Sequence, residues 1–198
     1  MRKEAVKKLG IWFLAFSLLA THIFIQSVAH ADEGNSWNLT VSRTGDCRIH
    51  FPSRPQMVQQ SFQVAEDGTR LNYDVYLAPF EDKGVCLLLI AQYPLPVVPG
   101  NELAGLEGLL NGIIGHSPDN ALAFAKVIDV SGVPGVDFLV HSKSNYFRGM
   151  AFMIESRLYL IAMEGKKEFL NEKIFSRFSQ SFHLNKEESL KGPRPVNP

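Results

Sequence analysis

Hydrophobic and polar residues alternate along much of the chain after residue 46, which is typical of strands with one buried and one wetter face. Residues 47–51 place three apolar side chains on one face and two basic side chains on the other. Residues 58–64 and 71–77 repeat this alternation. Between these two runs, Asp67-Gly68 favours a tight hairpin turn because both residue types tolerate positive φ. The pattern predicts a fold built mainly on a sheet.

Residues 85–93 differ from these runs, because apolar side chains occupy both faces. Such a strand is covered on both sides, so other elements must pack on each face of the sheet. Four further strands are predicted downstream, over residues 122–130, 136–142, 146–155 and 157–163. The turns between them are expected at Val133-Pro134-Gly135, Lys143-Ser144-Asn145 and Glu155-Ser156. The sheet therefore has about seven or eight strands and is twisted and mainly antiparallel.

Two helices are expected to cover the sheet. The first follows a Pro-rich turn over residues 94–100, has Asn101 as its N-cap, and carries an apolar stripe of Leu103, Leu106, Leu110 and Ile113. The second runs from about residue 167 to residue 181 and stacks apolar side chains at steps of four: Leu170, Ile174, Phe178 and Phe182. Strands and helices together predict an α+β fold.

The first 31 residues have the order of a secretory signal peptide. Four basic residues lie within the first eight positions, an almost uncharged apolar stretch follows over residues 9–28, and Ala29-His30-Ala31 closes it with small residues. This order predicts Sec-type export to the periplasm or the medium, with cleavage after Ala31. The alternative is an uncleaved anchor, because the stretch approaches the ~20 residues of a membrane span.

Residues 32–184 are expected to form one domain, since a chain of this size buries enough apolar surface to be stable alone. Residues 185–198 are expected to be a flexible, Pro-rich tail. The chain has 20 Lys and Arg against 20 Asp and Glu. Cleavage would remove four basic residues and one acidic residue, leaving 16 against 19. A mildly acidic domain gives no electrostatic reason to expect nucleic acid or anionic lipid as a partner.

Cys47 and Cys86 are the two cysteines of the chain. In an oxidising compartment such a pair is predicted to form a disulfide. The loop of about 40 residues that it closes would stabilise the fold by on the order of 3–4 kcal/mol. The alternative is two separately buried thiols, because a free cysteine packs as a small hydrophobic side chain.

Several short runs resemble one known module. They are Gly132-Val133-Pro134-Gly135-Val136-Asp137-Phe138, Tyr146-Phe147-Arg148-Gly149, Ser156-Arg157-Leu158-Tyr159-Leu160, Ser181-Phe182, and Phe51-Pro52-Ser53-Arg54-Pro55 after the first strand. Together they are similar to uncharacterised bacterial exported proteins with a PsbP-like fold. The resemblance implies an antiparallel sheet with helices packed against it. Because the runs are turns and core strands, it implies no catalytic residue.

Four side chains are candidate contacts for a ligand or a partner: Arg148, Asp137, His141 and His116. Arg148 is the one basic residue in an otherwise apolar strand, and Asp137 on the neighbouring strand is a candidate ion-pair partner. Asp137 and His141 share a strand face but lie about 13 Å apart, which is too far for an acid/base pair. His116 lies in a loop, where hydrogen bonding within a turn explains it equally well.

The sequence contains no constellation that predicts catalysis, a metal site or a cofactor site. Cys47 and His50 lie three residues apart, which places them on opposite faces of a strand and prevents joint metal ligation. The chain has neither a Gly-x-Ser-x-Gly nucleophile elbow nor a glycine-rich phosphate-binding loop.

The leading hypothesis is an exported, non-enzymatic accessory or binding module of the bacterial envelope, whose partner is another envelope protein or a small ligand. Its expected contact surface combines two turn-rich loops, residues 93–100 and 113–120, which flank the first helix. The alternative is a small secreted hydrolase or lipid-handling protein with a cleft between helix and sheet.

Overall fold

The computed structural model describes residues 37–63, 70–81, 83–94, 100–143 and 145–185. Four expected features lie outside these ranges: the signal peptide, the Asp67-Gly68 turn, most of the Pro-rich turn, and the tail beyond residue 185. The strands are β1 (Asn38–Ser42), β2 (Cys47–Phe51), β3 (Gln56–Gln63), β4 (Arg70–Phe80), β5 (Gly84–Gln92), β6 (Asn120–Val130), β7 (Val133–Ser142), β8 (Asn145–Ile154), β9 (Arg157–Lys166) and β10 (His183–Leu184). The helices are α1 (Glu102–Gly115) and α2 (Glu172–Gln180).

The described strands form two antiparallel sheets. The larger has seven strands in the order β3-β4-β5-β9-β8-β7-β6, and the smaller has three in the order β1-β2-β10. The large sheet and its two helices confirm the predicted α+β fold. The small sheet was not predicted, because β10 has two residues and β1 exposes its apolar side chains, Leu39 and Val41, rather than burying them.

Each face of the large sheet carries its own hydrophobic core. On one face α1 packs through Leu106 and Leu110 against Phe138 and neighbouring residues. On the other face β2 and α2 supply Phe51, Phe175 and Phe178. The central strands β5 and β9 are therefore buried on both sides, as the two-faced apolar run over residues 85–93 predicts.

Three local expectations are corrected by the structure. Asn101 precedes α1, but its side chain makes no capping hydrogen bond. Helix α2 begins at Glu172 rather than near residue 167, because Asn171 caps it by accepting a hydrogen bond from the Ile174 backbone N–H at 3.0 Å. The turn before β7 is made by Ser131 and Gly132, both at positive φ, so residues 133–135 belong to the strand.

The structure does not show the predicted disulfide, since Cys47 and Cys86 are both buried free thiols. Both cysteines belong to the hydrophobic core on the α2 face of the large sheet, Cys47 on β2 and Cys86 on β5. Each packs as a small hydrophobic side chain, which is the alternative that the sequence left open.

Candidate functional site

A buried ion pair joins β7 and β8 on the α2 face of the large sheet. Arg148 donates two hydrogen bonds to the Asp137 carboxylate, the one from Nη2 to Oδ2 at 3.1 Å. The Arg148 Nη1 atom also donates to the Phe138 carbonyl oxygen at 3.2 Å. Both residues are buried. The structure thus brings together the two side chains that the sequence singled out, in the two-pronged geometry that arginine and carboxylate favour.

Aromatic rings enclose the Arg148 guanidinium. Its central carbon lies 4.2 Å from the centroid of the Phe175 ring on α2 and 4.9 Å from that of the Phe124 ring on β6. Glu172 of α2 approaches Nη2 at 3.6 Å. Burial lowers the pKa of Arg148, while the charge and hydrogen bond of Glu172 act in the opposite direction. Arg148 therefore connects α2 with three strands and leaves little of its guanidinium open to a ligand.

Strand β6 lies directly beside this ion pair and forms one edge of the large sheet. Lys126 Nζ lies 3.3 Å from Asp137 Oδ2, and Phe124 covers one side of Arg148. Three large apolar side chains of β6 remain exposed, namely Leu122 at 42%, Phe124 at 37% and Val127 at 65%. An 11-residue edge strand with this composition is unusual, because open sheet edges are normally shortened, charged or covered.

The exposed apolar side chains of β6 lie on both faces of the strand. Leu122 is opposite Val140 and Phe124 is opposite Leu139, because an irregularity in the register separates these two pairs. Val127 is opposite Val136, so it lies on the face of the large sheet against which α1 packs. The sequence shows this as a strand that is apolar on both faces, which normally indicates a central position. Only the strand order reveals that β6 is at the edge.

The two candidate histidines lie near the beginning of β6. His116 follows α1 in the short loop that leads into β6, and its buried Nδ1 atom has no hydrogen-bond partner among the described residues. His141 is opposite Ala121 of β6, and its ring lies 6.1 Å from that of Tyr146. Of the four candidate contact residues, Arg148 and Asp137 are in contact, and no hydrogen bond or ion pair among the described residues links either of them to His116 or His141.

The contact surface expected from the two loops stays a prediction, because residues 95–99 of the first loop lie outside the described residues. Residues 93–94 and 100 precede α1, whereas residues 116–119 follow its last turn and lead into β6. Of the two loops, the described one after α1 is continuous with β6.

The described residues offer neither a metal centre nor a membrane span. No group of three or more His, Cys, Asp and Glu side chains in the described ranges could hold a metal ion. None of the described helices is long and apolar enough to cross a membrane. The main features of the region around β6 are the buried Arg148–Asp137 ion pair and the exposed apolar side chains of the edge strand.

Comparison with known proteins identifies the fold. No family model matches the chain, and no curated protein does. Among solved structures, the chain is similar to cyanobacterial PsbP (CyanoP) from Synechocystis sp. PCC 6803, with a TM-score of 0.50 and 11% sequence identity. The match covers 80% of this chain and 98% of the cyanobacterial one. The protein therefore has a PsbP-like fold, and at this identity the likeness extends to the fold alone.

Proposed function

We propose that the protein is an exported, non-enzymatic accessory module of the bacterial envelope that binds another envelope protein through β6. The proposed compartment is supported by the signal-like order of residues 1–31. The accessory character is supported by the PsbP-like fold. The observation that carries the proposal is the long apolar edge that β6 presents, which no described strand covers.

An extended segment of the partner would add to the sheet as a further strand beside β6. The outer edge of β6 offers backbone N–H and C=O groups that no described strand uses. Alternate side chains of the added strand would contact Leu122 and Val127 on one face and Phe124 on the other. Backbone hydrogen bonds would supply affinity and these side chains specificity, as in other cases of strand addition.

The ion pair beneath β6 prepares the strand for this role. Phe124 contacts Arg148 and Lys126 contacts Asp137, and these contacts would restrict the motion of one face of β6 before a partner binds. A rigid strand loses less conformational entropy on binding than a mobile one. Arg148 and Asp137 would thus act as positioning residues and not as ligand contacts.

The alternative of a hydrolase or lipid-handling protein requires a cleft between helix and sheet. Where α1 meets the sheet, that space is filled by buried apolar side chains: Leu106, Leu109, Leu110, Ile113, Val136, Phe138 and Val140. This packing favours the accessory role over the alternative.

Site-specific photocrosslinking in the cells that make the protein tests the proposal. A photoreactive amino acid at Val127 of β6 should give a crosslink to one recurring envelope protein. The same amino acid at Ser61, an exposed position on the opposite edge strand β3, should not. Val127→Lys should weaken binding to that protein by about tenfold, because a charge enters an apolar strand contact.

Three outcomes would refute the assignment. Equal crosslinking from positions 127 and 61 would show that β6 is not selective. A crosslink only to a second copy of this chain would indicate self-association in place of an accessory role. Unchanged affinity of Val127→Lys for the recovered protein would move the contact elsewhere.

A further inference from the structure

The small sheet has an outer face that is directed away from both cores. Cys47, Ile49 and Phe51 of β2 are buried against the large sheet, so the alternate residues of β2 point outward. We define the outer face by five exposed side chains on the three strands: Leu39, Val41, Arg48, His50 and His183. This face is at the opposite side of the small sheet from α2 and the central strands.

The outer face combines an apolar row with a basic row. Leu39 and Val41 of the edge strand β1 are each 56% exposed. In the register of the sheet, Leu39 is opposite His50 and Val41 is opposite Arg48. Single exposed apolar side chains need no explanation, but here two of them lie next to each other and directly beside basic residues.

The basic row lacks carboxylate partners in the described part of the chain. Arg48 is directly opposite His183 of β10, and side chains in such positions lie about 4.5–5.5 Å apart at Cβ. Arg48 is always positively charged, and no described carboxylate lies within ion-pair distance of it, so the position favours an anion above the face. None of the ion pairs among the described residues involves Arg43, Arg48 or Arg54.

The local charge therefore differs from that of the domain as a whole. Residues 37–55 contain three arginines and a single acidic residue, Asp46. Arg43 is in the turn between β1 and β2, and Arg54 follows β2. Arg54 also lines a shallow groove of about 360 Å³ together with Leu39 and Met57. Basic and apolar side chains are thus interspersed along this segment, although the chain carries no net positive charge.

We propose that this outer face docks on the surface of an anionic phospholipid bilayer. Arg48, with Arg43 and Arg54 at its margins, would contact lipid phosphates, while Leu39 and Val41 would reach the boundary between headgroups and acyl chains. Interfacial binding of this kind draws on electrostatic attraction and apolar burial together. Strand β1 is also an edge strand, but with 5 residues it offers an extended peptide a much shorter ladder than the 11 residues of β6, so contacts of this face are made mainly by its side chains.

This proposal is independent of the partner proposed for β6, because the two surfaces share no residue. A lipid-docked module could still present β6 to an envelope protein. Conversely, loss of lipid binding would leave strand addition at β6 untouched.

Vesicle co-sedimentation of the purified protein provides the test. The protein should sediment with vesicles of phosphatidylcholine containing about a third phosphatidylglycerol and not with pure phosphatidylcholine, since the surface potential requires anionic lipid. Arg48→Ala should reduce binding by about fivefold. Lys143→Ala removes an equal charge from the β7–β8 turn and should leave binding unchanged. Leu39→Ser with Val41→Ser should lower the binding that remains at high salt.

All these positions are exposed, so circular dichroism should show that each variant is folded before it is compared. Equal sedimentation with both lipid compositions, or equal losses from Arg48→Ala and Lys143→Ala, would overturn the proposal. So would a protein that ignores vesicles but binds soluble polyglutamate through Arg48, since its partner would then be an acidic polypeptide.

Discussion

Arg148 and Asp137 illustrate how one buried charge depends on another. Each is less than a tenth exposed, and each would face a desolvation penalty of several kcal/mol without the other. Such a pair is weak evidence for net stability, because well-packed apolar residues often replace it without loss. Removing only one partner is strongly destabilising, because the remaining charge stays buried without a partner.

Removing one partner of this buried ion pair should therefore lower the free energy of unfolding far more than removing one partner of an exposed ion pair. We expect Asp137→Ala to lower the free energy of unfolding by about 3–5 kcal/mol, measured by urea denaturation at neutral pH. The matched control is Asp119→Ala, whose ion pair with Lys143 is largely exposed and should be worth about 0–1 kcal/mol.

The double variant Asp137→Leu with Arg148→Met separates ion pairing from packing. It should regain most of the stability lost in Asp137→Ala, because no charge is left buried. A cost for Asp137→Ala no greater than that for Asp119→Ala would show that Arg148 reaches solvent in the folded protein.

At the scale of single elements, the space around each glycine shows how closely neighbouring strands and helices pack. Gly149 of β8 is opposite Phe138 of β7, and a Cβ added there would lie 2.4 Å from the Phe138 ring. Phe138 is fully buried, so its ring has little freedom to move away. Gly108 of α1 has no neighbouring atom within 4 Å of such a Cβ.

The same substitution should therefore have opposite effects at these two glycines. Gly149→Ala should destabilise the protein by about 1–3 kcal/mol through overpacking. Gly108→Ala should stabilise it by about 1 kcal/mol, since alanine is the better helix former and meets no obstruction. Thermal or urea unfolding of both variants checks this, and destabilisation by Gly108→Ala would contradict the open surroundings seen at that position.

Much of the element pattern could be predicted from the sequence. Strand β2 has the predicted bounds, and β4 to β9 agree with prediction to within a few residues. The periodicity of apolar side chains depends only on residues close in sequence, so it predicts strands and helices without knowledge of the fold. The short strands β1 and β10 could not be predicted, because the outer residues of β1 are apolar and β10 pairs with β2, about 130 residues earlier in the chain.

At the scale of the whole molecule, Tyr159 and Cys47 lie where the small sheet packs on the large sheet. Tyr159 of the large sheet donates a hydrogen bond to the Gly45 carbonyl oxygen in the turn of the small sheet, at 2.7 Å. Cys47 is buried close by, and burial raises its pKa from 9.0 to about 12. Burial also raises the pKa of Cys86, and it raises that of Tyr159 to about 12.

Stability should consequently decline at alkaline pH. A thiol whose pKa is raised by folding contributes fully below its unfolded pKa near 9, and this contribution is lost as the pH rises towards 12. Each thiol should reduce the free energy of unfolding by up to about 1.4 kcal/mol per pH unit in that window. Denaturation at a series of pH values from about 8 to 10, below the range where tyrosines dominate, measures the slope.

The double variant Cys47→Ala with Cys86→Ala serves as the control, because its slope in this window should be much smaller. A disulfide between the two residues would leave no thiol to titrate. Equal slopes for the wild-type chain and the double variant would therefore contradict the buried thiols.

The sequence by itself determined the α+β class and the need for cover on both faces of the sheet, and it named Asp137 as a candidate partner for Arg148. These follow from periodicity and from the cost of an isolated buried charge, which depend on residues close in sequence or on adjacent strands. Only the tertiary structure decided that β6 is an edge, that Cys47 and Cys86 are buried free thiols, and that Arg48 is opposite His183 on an outer face. Such neighbours come from distant parts of the chain, and side-chain patterns do not specify which strands pair.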